Sequence, residues 1–480
     1  MTATSARHGA GAPRGQDPLA GATAGRFGRM FGSLSPGRLH ADVLDRLVER
    51  MSLGENSQPN GSIPAGYTYL GQFIDHDITF DPTSRLQRRN DPHALVNFRT
   101  PRFDLDSVYG AGPADQPYLY DWSTGPDPGV KLLVDRNGED SDFAAFDLPR
   151  NRQGRALIGD ARNDEHVIIS QLHLLVIGLH NRVVDRLRDD HPRMSSNDLF
   201  DEARQIVRWH YQWIVIHDFL PKIVGEQTLA ARVRPSSAAV PGEAAIPVEF
   251  SGAAYRFGHS MVREKYRLQH GGPLIPILLP ATASGEHLGG FRRLKSCLKL
   301  DWDLFFFAPQ PASPGEANPS MRIDPVLSSH LSALPPDGAS LASLNLHRGD
   351  ALGLPSGSDV ACLLGIDPLS ADELFPAHLW ADDIPPLEGR QAVLDAPPLW
   401  YYVLCEAYSR GGPPEGHGHG VYLGPVGGRI VAEVLVGLLE RDPHSYVHQP
   451  GWRPHLGDGE TFTMLDLVRF VEDHLQRPHS

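Results

Sequence analysis

Cysteine is scarce in this chain of 480 residues, which contains only Cys297, Cys362 and Cys405. The three cysteines are odd in number and lie far apart, so they form neither a zinc-binding nor a thioredoxin-type spacing. Cytosolic proteins keep such thiols reduced. We therefore expect buried free thiols in a protein that works in a reducing compartment.

A basic stripe is also missing, because the arginines are scattered among acids and the net charge is -14. This charge argues against a nucleic acid as partner. No apolar run has the length of a membrane span; the best segment, residues 167–179, is interrupted by Gln171, His173 and Gly178. Residues 1–31, rich in Ala, Gly and Arg, lack the apolar core of a signal peptide. We expect a poorly ordered tail there and a cytoplasmic protein, with export by another route left open.

Strand-like alternation is scarce, whereas helical periodicity recurs along the chain. Helices are predicted at residues 35–52, 70–80, 164–188, 199–219, 253–263, 302–306, 340–350, 371–374, 399–409 and 430–439. Between about 85 and 160 the chain is irregular, which is typical of a functional or ligand-bound stretch. Residues 235–247 resemble an exposed linker. The sequence predicts a mainly α protein, with one large domain at residues 32–480 that has long irregular loops and little β structure.

The segment Gly71–Asp81 places an amide, carboxylates and a histidine in an apolar helical run. Helical spacing directs Gln72, Asp75 and His76 to one side and Asp77 to another. Because burying polar groups is costly unless something binds them, this face predicts a ligand, although a satisfied core histidine is the alternative. Asp81-Pro82 is expected to end the helix.

Oxygen-bearing side chains alternate in the irregular stretch, at Thr100, Asp104 and Asp106. Calcium takes six to eight oxygen ligands, so this pattern suits it, with Asp77 as a further carboxylate. The spacing is not that of an EF-hand, since Val108 occupies the third alternating position. A turn stabilised by aspartate side chains is the structural alternative.

Three further segments combine functional side chains three residues apart. Arg162 and Glu165 begin a helix in Gly159–His166, where Asn163 or Asp164 is the expected N-cap. His173 and His180 on that helix are predicted to be core histidines. The remaining pairs are Arg256 with His259 and Asn345 with Arg348. An asparagine carbonyl suits the N–H of a metal-bound histidine.

In their order and spacing these motifs resemble the animal-type haem peroxidases of the peroxidase–cyclooxygenase superfamily. The resemblance covers roughly Tyr67 to Pro425. It rests on Gly71-Gln-Phe-Ile-Asp-His-Asp77, Thr100–Gly110, Gly159-Asp-Ala-Arg-Asn-Asp-Glu165, Arg256-Phe-Gly-His259 and Asn345-Leu-His-Arg348 followed by Gly353-Leu-Pro.

The resemblance implies haem b and calcium as cofactors, with hydrogen peroxide and a small reducing substrate as partners. His259 would ligate the haem iron and hydrogen-bond Asn345, while His76, Arg162 and Gln72 would form the distal catalytic group. Asp75 and Glu165 would form ester links to haem, and Arg256 and Arg348 would lie at the haem. Calcium would be bound by the side chains of Asp77, Thr100, Asp104 and Asp106 and by the backbone carbonyl of Arg102.

Two departures from the family pattern limit the chemistry. His166 stands where some members carry a methionine that links to haem, so that link is expected to be absent. Arg256 occupies the position, three residues before His259, where oxygenase members have a tyrosine; Tyr255 is one position away. A peroxidase is therefore favoured. The alternatives are a fatty-acid dioxygenase of the same superfamily, a haem-binding protein without turnover, and a histidine–carboxylate metal hydrolase, which would leave the Arg256–His259 segment without a role.

Overall fold

The computed structural model describes residues 25–53, 58–80, 96–97, 99–123, 125–136, 144–230, 245–279, 285–306, 316–334, 338–376, 387–413, 419–457 and 459–475. The α-helices in these ranges are α1 (Ala41–Leu53), α2 (Ala65–Ile78), α3 (Asp106–Tyr109), α4 (Val167–Asp190), α5 (Ser196–Ile214), α6 (Leu220–Val224), α7 (Glu226–Ala230), α8 (Val248–Gly252), α9 (Leu341–Ala351), α10 (Gly357–Leu363), α11 (Ala371–Leu374), α12 (Arg390–Asp395), α13 (Leu399–Arg410), α14 (Pro425–Arg441) and α15 (Met464–Leu475). Short 3-10 helices include Ala161–Asp164, Ala254–His259 and Trp302–Leu304.

The strands are short and form small separate sheets. They are β1 (Gly25–Gly28), β2 (Pro59–Pro64), β3 (Val96–Asn97), β4 (Asp135–Arg136), β5 (Phe146–Asp147), β6 (Ile246–Pro247), β7 (Lys265–Arg267), β8 (Leu274–Pro276) and β9 (Pro319–Met321). β1 lies between β3, antiparallel to it, and β6, parallel to it, while β2–β9, β4–β5 and β7–β8 are antiparallel pairs. The prediction of a mainly α fold is confirmed.

The ends of two predicted irregular segments are part of the folded domain. Gly25 pairs with Asn97 in the β1 sheet and Phe31 is buried, so residues 25–31 of the predicted tail pack with the domain. Ile246 of the predicted exposed linker is fully buried opposite Phe27. Positions 1–24 and 231–244, on which the rest of these two predictions falls, lie outside the described residues.

Helix α2 ends three residues before the predicted stop at Asp81-Pro82. Thr79 is already extended, and its backbone N–H donates to the Asp75 carbonyl at 2.9 Å. The side chain of Asn97 substitutes for a further helical turn: Nδ2 donates to the Ile78 carbonyl at 2.8 Å, and Oδ1 accepts from Phe80 N at 2.8 Å. The helix stop therefore depends on a residue distant in sequence, which local patterns do not predict. Asp81 and Pro82 lie outside the described residues.

The predicted helix at 199–219 is two helices joined by a π-helical segment, Val215–Phe219. π segments are rare and carry an extra residue per turn, so periodicity does not predict them. This one presents buried Asp218 to α2, where Tyr67 Oη donates to its carboxylate at 2.8 Å. Asp218 also accepts from Met464 N at 2.8 Å, at the start of α15. The segment thus connects three helices and fixes the position of α2.

Helix α4 lies in the core of the domain. By length and composition it could cross a membrane, contrary to the expectation that no apolar run is that long. However, 78% of its most apolar stretch of 18 residues is buried within the protein. Buried core helices commonly have this length and apolar composition. Burial therefore accounts for its apolar composition.

The cysteines are free, as expected, but only Cys405 is buried. Cys297 and Cys362 are exposed, which corrects the expectation of three buried thiols. Cys362 belongs to the short helix α10, and Cys297 to a 3-10 turn, so neither position lies on the apolar face of a long helix.

Candidate active site

Helix α2 carries one open face inside the protein. Twelve of its fourteen residues are buried, and the two that are not, Gln72 and Asp75, are three apart on the same face. Gln72 bonds Glu165, which is accessible yet desolvated by the surrounding protein, so these side chains line a recess, called the cleft below. His76 borders this cleft with 5% of its surface exposed, and Asp77 on the other side of the helix is fully buried. The predicted division of the four polar side chains is therefore observed.

His76 is held by Asn163, a residue that the sequence suggested only as an N-cap. Nδ1 of His76 lies 2.8 Å from Oδ1 of Asn163. Burial, together with the nearby Arg162 charge, lowers the pKa of His76 to about 4. The ring is therefore neutral near pH 7, and since a carbonyl oxygen only accepts, Nδ1 carries the proton and Nε2 keeps its lone pair.

Arg162 lies beside His76 and is fixed from behind. Its Nη2 donates to the carbonyl of His76 at 3.1 Å and to the carbonyl of Thr79, and its Nε donates to Asp160 Oδ1 at 3.1 Å. Asp160 is paired with the guanidinium groups of Arg162 and Arg99, and these charges hold its pKa below its ordinary value in spite of burial. Asp160, not Asn163 or Asp164, also caps the 3-10 helix that contains Arg162.

The N-cap of α4 is His166, which corrects the predicted cap at Asn163 or Asp164. Its Nδ1 accepts from Ile169 N at 3.3 Å, so the ring proton is on Nε2, which lies 2.8 Å from Gln72 Oε1. With its oxygen engaged, the Gln72 amide donates through Nε2 to Glu165. His166 therefore orients Gln72 at the cleft.

Glu165 and Asp75 are the carboxylates of the cleft. Glu165 is accessible, but the surrounding protein desolvates it and raises its pKa to about 7, in spite of the Arg162 charge. Asp75 accepts from Thr79 Oγ1 at 3.0 Å through Oδ1. Both carboxylates thus reach the same cleft from different helices.

A second histidine approaches from the 3-10 helix Ala254–His259. Nδ1 of His259 lies 2.8 Å from Nδ2 of Asn345 on α9, as predicted for the residue pair. The amide is turned opposite to the expectation, however, because Nδ2 also donates to the Leu341 carbonyl at 2.9 Å, one turn back on the same helix. Burial, with the charges of Arg256 and Arg348, lowers the pKa of His259 to about 3.

The two histidine-bearing segments lie close together, since a Cβ at Gly71 of α2 would be 3.9 Å from Tyr255 Oη, beside Arg256. Burial lowers the pKa of Arg256, and Asp75 and Arg162 on the α2 side are the charges that act on it. Arg256 Nε donates to the Ser251 carbonyl at 2.7 Å, which holds the guanidinium near His259. Arg348 lies on α9, the helix that also carries Asn345, and its charge acts on His259. The two predicted groups are thus brought together.

Behind α2, three carboxylates form the one group in the described residues with the geometry of a metal site. Ligand atoms of Asp77, Asp104 and Asp106 all lie within 4.8 Å of one another. Burial and mutual repulsion raise the pKa of Asp77 well above its ordinary value and that of Asp106 to about 7. Thr100 Oγ1 is in the same cluster, 2.7 Å from Asp104 Oδ2. Such a repulsive oxygen-rich cluster fits a hard divalent cation.

The backbone is strained where it turns around this cluster. Leu105, between two of the carboxylates, has φ 58°, a left-handed conformation that is costly for leucine. Its N–H donates to Asp77 Oδ2 at 3.3 Å, and Ser107 Oγ donates to Asp77 Oδ1 at 3.1 Å. Arg102, predicted to contribute its carbonyl, belongs to the same loop, and its N–H donates to the Thr100 carbonyl at 2.8 Å. The loop is thus folded around Asp77.

An ion-pair chain connects this carboxylate cluster to Arg162. Arg99 Nη1 lies 3.4 Å from Asp106 Oδ1, and Arg99 Nη2 lies 2.6 Å from Asp160 Oδ2. Asp160 in turn lies 2.8 Å from Arg162 Nη2. Gly159 permits this approach, since a Cβ there would lie 2.5 Å from the Ser107 carbonyl. Sequence patterns missed Arg99 and Asp160 because their role depends on contacts between distant segments.

Comparison with known proteins identifies the family of this chain. The sequence profile of the animal haem peroxidases matches residues 84–377, more than half of the chain, and the chain belongs to that family. The chorion peroxidase of Drosophila melanogaster is 29% identical over 310 residues, covering 62% of this chain and 35% of that protein. The thyroid peroxidase of Sus scrofa is 25% identical over 323 residues, covering 61% and 32%. The chain spans about a third of the length of these curated relatives.

Solved structures show the same fold at lower identity. Peroxidase A of Dictyostelium discoideum is similar with a TM-score of 0.59 and 16% identity, covering 91% of both chains. The fatty acid α-dioxygenase of Oryza sativa also has a TM-score of 0.59 at 16% identity, covering 95% of this chain and 80% of that one. The fold is therefore common to peroxidases and dioxygenases of the superfamily.

Proposed function

We propose that this protein is a haem peroxidase that reduces hydrogen peroxide and oxidises a small organic donor or a halide. One observation carries the proposal. His76 has Nδ1 held by Asn163, and His259 is held by Asn345. The two segments that carry these histidines pack together, because a Cβ at Gly71 of α2 would lie 3.9 Å from Tyr255 Oη. A histidine–carboxylate metal hydrolase would use only the first group and leave the second without a role.

The cleft fits haem by the chemistry of its side chains. An imidazole is an axial ligand of haem iron, and arginines suit the propionates. His259 would bind the iron, Arg348 and Arg256 would face the macrocycle edge, and Gln72, Asp75 and Glu165 would line its distal side. A haem bound there would supply the redox centre for peroxide reduction. Membership of the animal haem peroxidase family supports this cofactor.

His76 and Arg162 provide the proton transfer and charge stabilisation that peroxide cleavage needs. His76 Nε2, whose lone pair is available, accepts a proton from the peroxide and returns it to the departing oxygen, which leaves as water. Arg162 donates to Asp160 through its Nε and Nη2 atoms, which fixes the guanidinium in place. Its positive charge would then stabilise the negative charge that develops on the departing peroxide oxygen. The residues thus move one proton and stabilise one charge.

Ligation by His259 depends on the Asn345 amide. When Nδ2 of Asn345 points toward Nδ1 of His259, Nδ1 accepts the hydrogen bond and the ring proton is on Nε2. An iron bond through Nε2 requires the proton on Nδ1. A half-turn of the amide about Cβ–Cγ would present Oδ1 to that proton, at the cost of the bond to the Leu341 carbonyl. Asn345 would then make the ligand more basic.

A calcium ion would occupy the carboxylate cluster, bound by side-chain oxygens of Asp77, Asp104, Asp106 and Thr100 and by the Arg102 carbonyl. The raised pKa values of Asp77 and Asp106 support this, because a cation would relieve the repulsion that causes them. The assignment of calcium rests on the hard oxygen ligands of the cluster.

Haem-loaded protein mixed with hydrogen peroxide and an aromatic donor should oxidise the donor in proportion to the peroxide consumed. Dissolved oxygen should stay constant when a long-chain fatty acid replaces donor and peroxide, since Arg256 stands where oxygenases have a tyrosine. The measurements are donor absorbance and an oxygen electrode, with haem in buffer as the control. Oxygen uptake with the fatty acid that Tyr255→Phe abolishes would instead establish a dioxygenase.

Covalent links to haem form a separate expectation. After exposure to peroxide, Asp75 and Glu165 should each bond to a haem methyl group, because both carboxylates reach the cleft. Acid extraction and mass spectrometry should then find haem retained on the wild-type chain. The pair of substitutions Asp75→Asn and Glu165→Gln should release all haem, and each alone should leave one link. Quantitative release of unmodified haem from wild type would contradict the ester links.

A further inference from the structure

A chain of three buried side chains runs from the cleft into the core. His76 Nδ1 lies 2.8 Å from Asn163 Oδ1, and Asn163 Nδ2 lies 3.0 Å from Nδ1 of His173 on α4. Asn163 is fully buried and His173 is 1% exposed. The sequence assigned His173 to the core and Asn163 to a helix cap, so neither received a functional role.

Hydrogen-bond donors and acceptors in this chain are mutually dependent. Burial lowers the pKa of His173 to about 3, so the ring is neutral and its Nδ1 accepts from the Asn163 amide. The amide nitrogen only donates and the oxygen only accepts. While His173 holds the nitrogen, Oδ1 faces His76 and requires the proton on Nδ1 of that ring. The lone pair on Nε2 then faces the cleft.

We propose that Asn163 and His173 are positioning residues that fix the tautomer and orientation of His76. This inference rests on the proposed peroxidase function, and it names the two residues that hold the proton acceptor of that function in place. Without Asn163, His76 loses the partner that keeps its proton on Nδ1, and the ring can rotate or place its proton on Nε2. Second-layer hydrogen bonds of this kind change activity about 10- to 100-fold in metal sites.

Cyanide binding tests the proposal without turnover, because hydrogen cyanide must give its proton to a distal base before the anion binds haem iron. Asn163→Ala should slow cyanide association, followed by the Soret band in haem-loaded protein, about 10- to 100-fold. His173→Leu should slow it as well. His173→Gln, which keeps an acceptor oxygen for the amide, should restore most of the rate.

His180 provides the matched control. It is a fully buried histidine two turns further along α4, bonded to Tyr109 Oη at 3.1 Å and to the Val130 carbonyl at 2.9 Å. Neither of these hydrogen bonds involves Asn163. His180→Leu should therefore leave the association rate within about twofold of wild type, although it removes the same volume of core as His173→Leu.

The tautomer itself is a second readout. In ¹⁵N-histidine-labelled protein with ferrous haem and carbon monoxide, the His76 signal, assigned by its loss in His76→Ala, should show the proton on Nδ1. Asn163→Ala should shift the signal toward the other tautomer. An unchanged tautomer, or equal cyanide rates for His173→Leu and His180→Leu, would overturn the inference while the peroxidase function stands. Failure to bind haem at all would overturn the function instead. If Asn163→Ala takes up no haem, the cyanide association rates of His173→Leu and His173→Gln are compared instead. Equal rates for these two variants would contradict the inference.

Discussion

Replacing His76 with alanine should lower the second-order rate constant for reaction with hydrogen peroxide by about 10²- to 10⁴-fold. This is the range that a positioned acid–base group contributes. His76 is the neutral ring at the cleft whose Nδ1 is already bonded to Asn163, so its Nε2 is the proton acceptor. Stopped-flow absorption of the haem band against peroxide concentration measures the constant, and the later reaction with the donor should change little.

His180→Ala is the control, since it removes another buried ring without touching the cleft. Both variants should retain haem, because His259 and not His76 is the assigned ligand. A peroxide rate constant for His76→Ala within about threefold of wild type, with haem fully bound, would remove the acid–base role from this residue.

Removal of calcium should disturb the haem site, with a shifted Soret band and a peroxide rate constant lowered about tenfold or more. One route is the backbone, because Asp77 is a proposed calcium ligand and His76 is its neighbour. The second route is the ion-pair chain Asp106–Arg99–Asp160–Arg162. Without the cation, repulsion among Asp77, Asp104 and Asp106 would strengthen the pull on Arg99 and weaken its hold on Asp160.

The variant Arg99→Gln separates the two routes. With calcium bound it should already have a lowered peroxide rate, and chelation should then lower that rate less than in wild type, as expected for coupled sites. Arg188→Gln, which breaks a comparable arginine–aspartate pair with Asp127 toward the other end of α4, is the control. Spectra and rates that are unchanged after full chelation of wild type would contradict the coupling.

The sequence predicted the fold class and most long helices because their apolar stripes follow helical spacing. It predicted α11 at 371–374 as observed and α13 to within one residue. It missed the π segment at 215–219 and placed the end of α2 too late. Both depend on tertiary contacts, with Asp218 bonded to Tyr67 and Asn97 bonded to the last turn of α2.

Within the candidate site, the sequence pointed to residues that lie in short local motifs and missed residues whose contacts join distant segments. His76 with Asp77, and Asp104 with Asp106, were recognisable within short motifs. Asn163, His173 and His166 were not, because a hydrogen bond between residues 87 positions apart leaves no periodic signal. The amide orientation of Asn345 likewise depends on its own helix carbonyl, which spacing does not indicate.

A haem titration of the purified chain, compared with His259→Gln, tests the central claim most directly. Wild type should bind one haem per chain with the absorption spectrum of histidine-ligated iron, and that spectrum should change on addition of one equivalent of hydrogen peroxide. His259→Gln should lose that spectrum and bind haem more weakly. A wild-type chain that binds no haem, or a His259→Gln chain with the same affinity and spectrum, would contradict the assignment of the cleft.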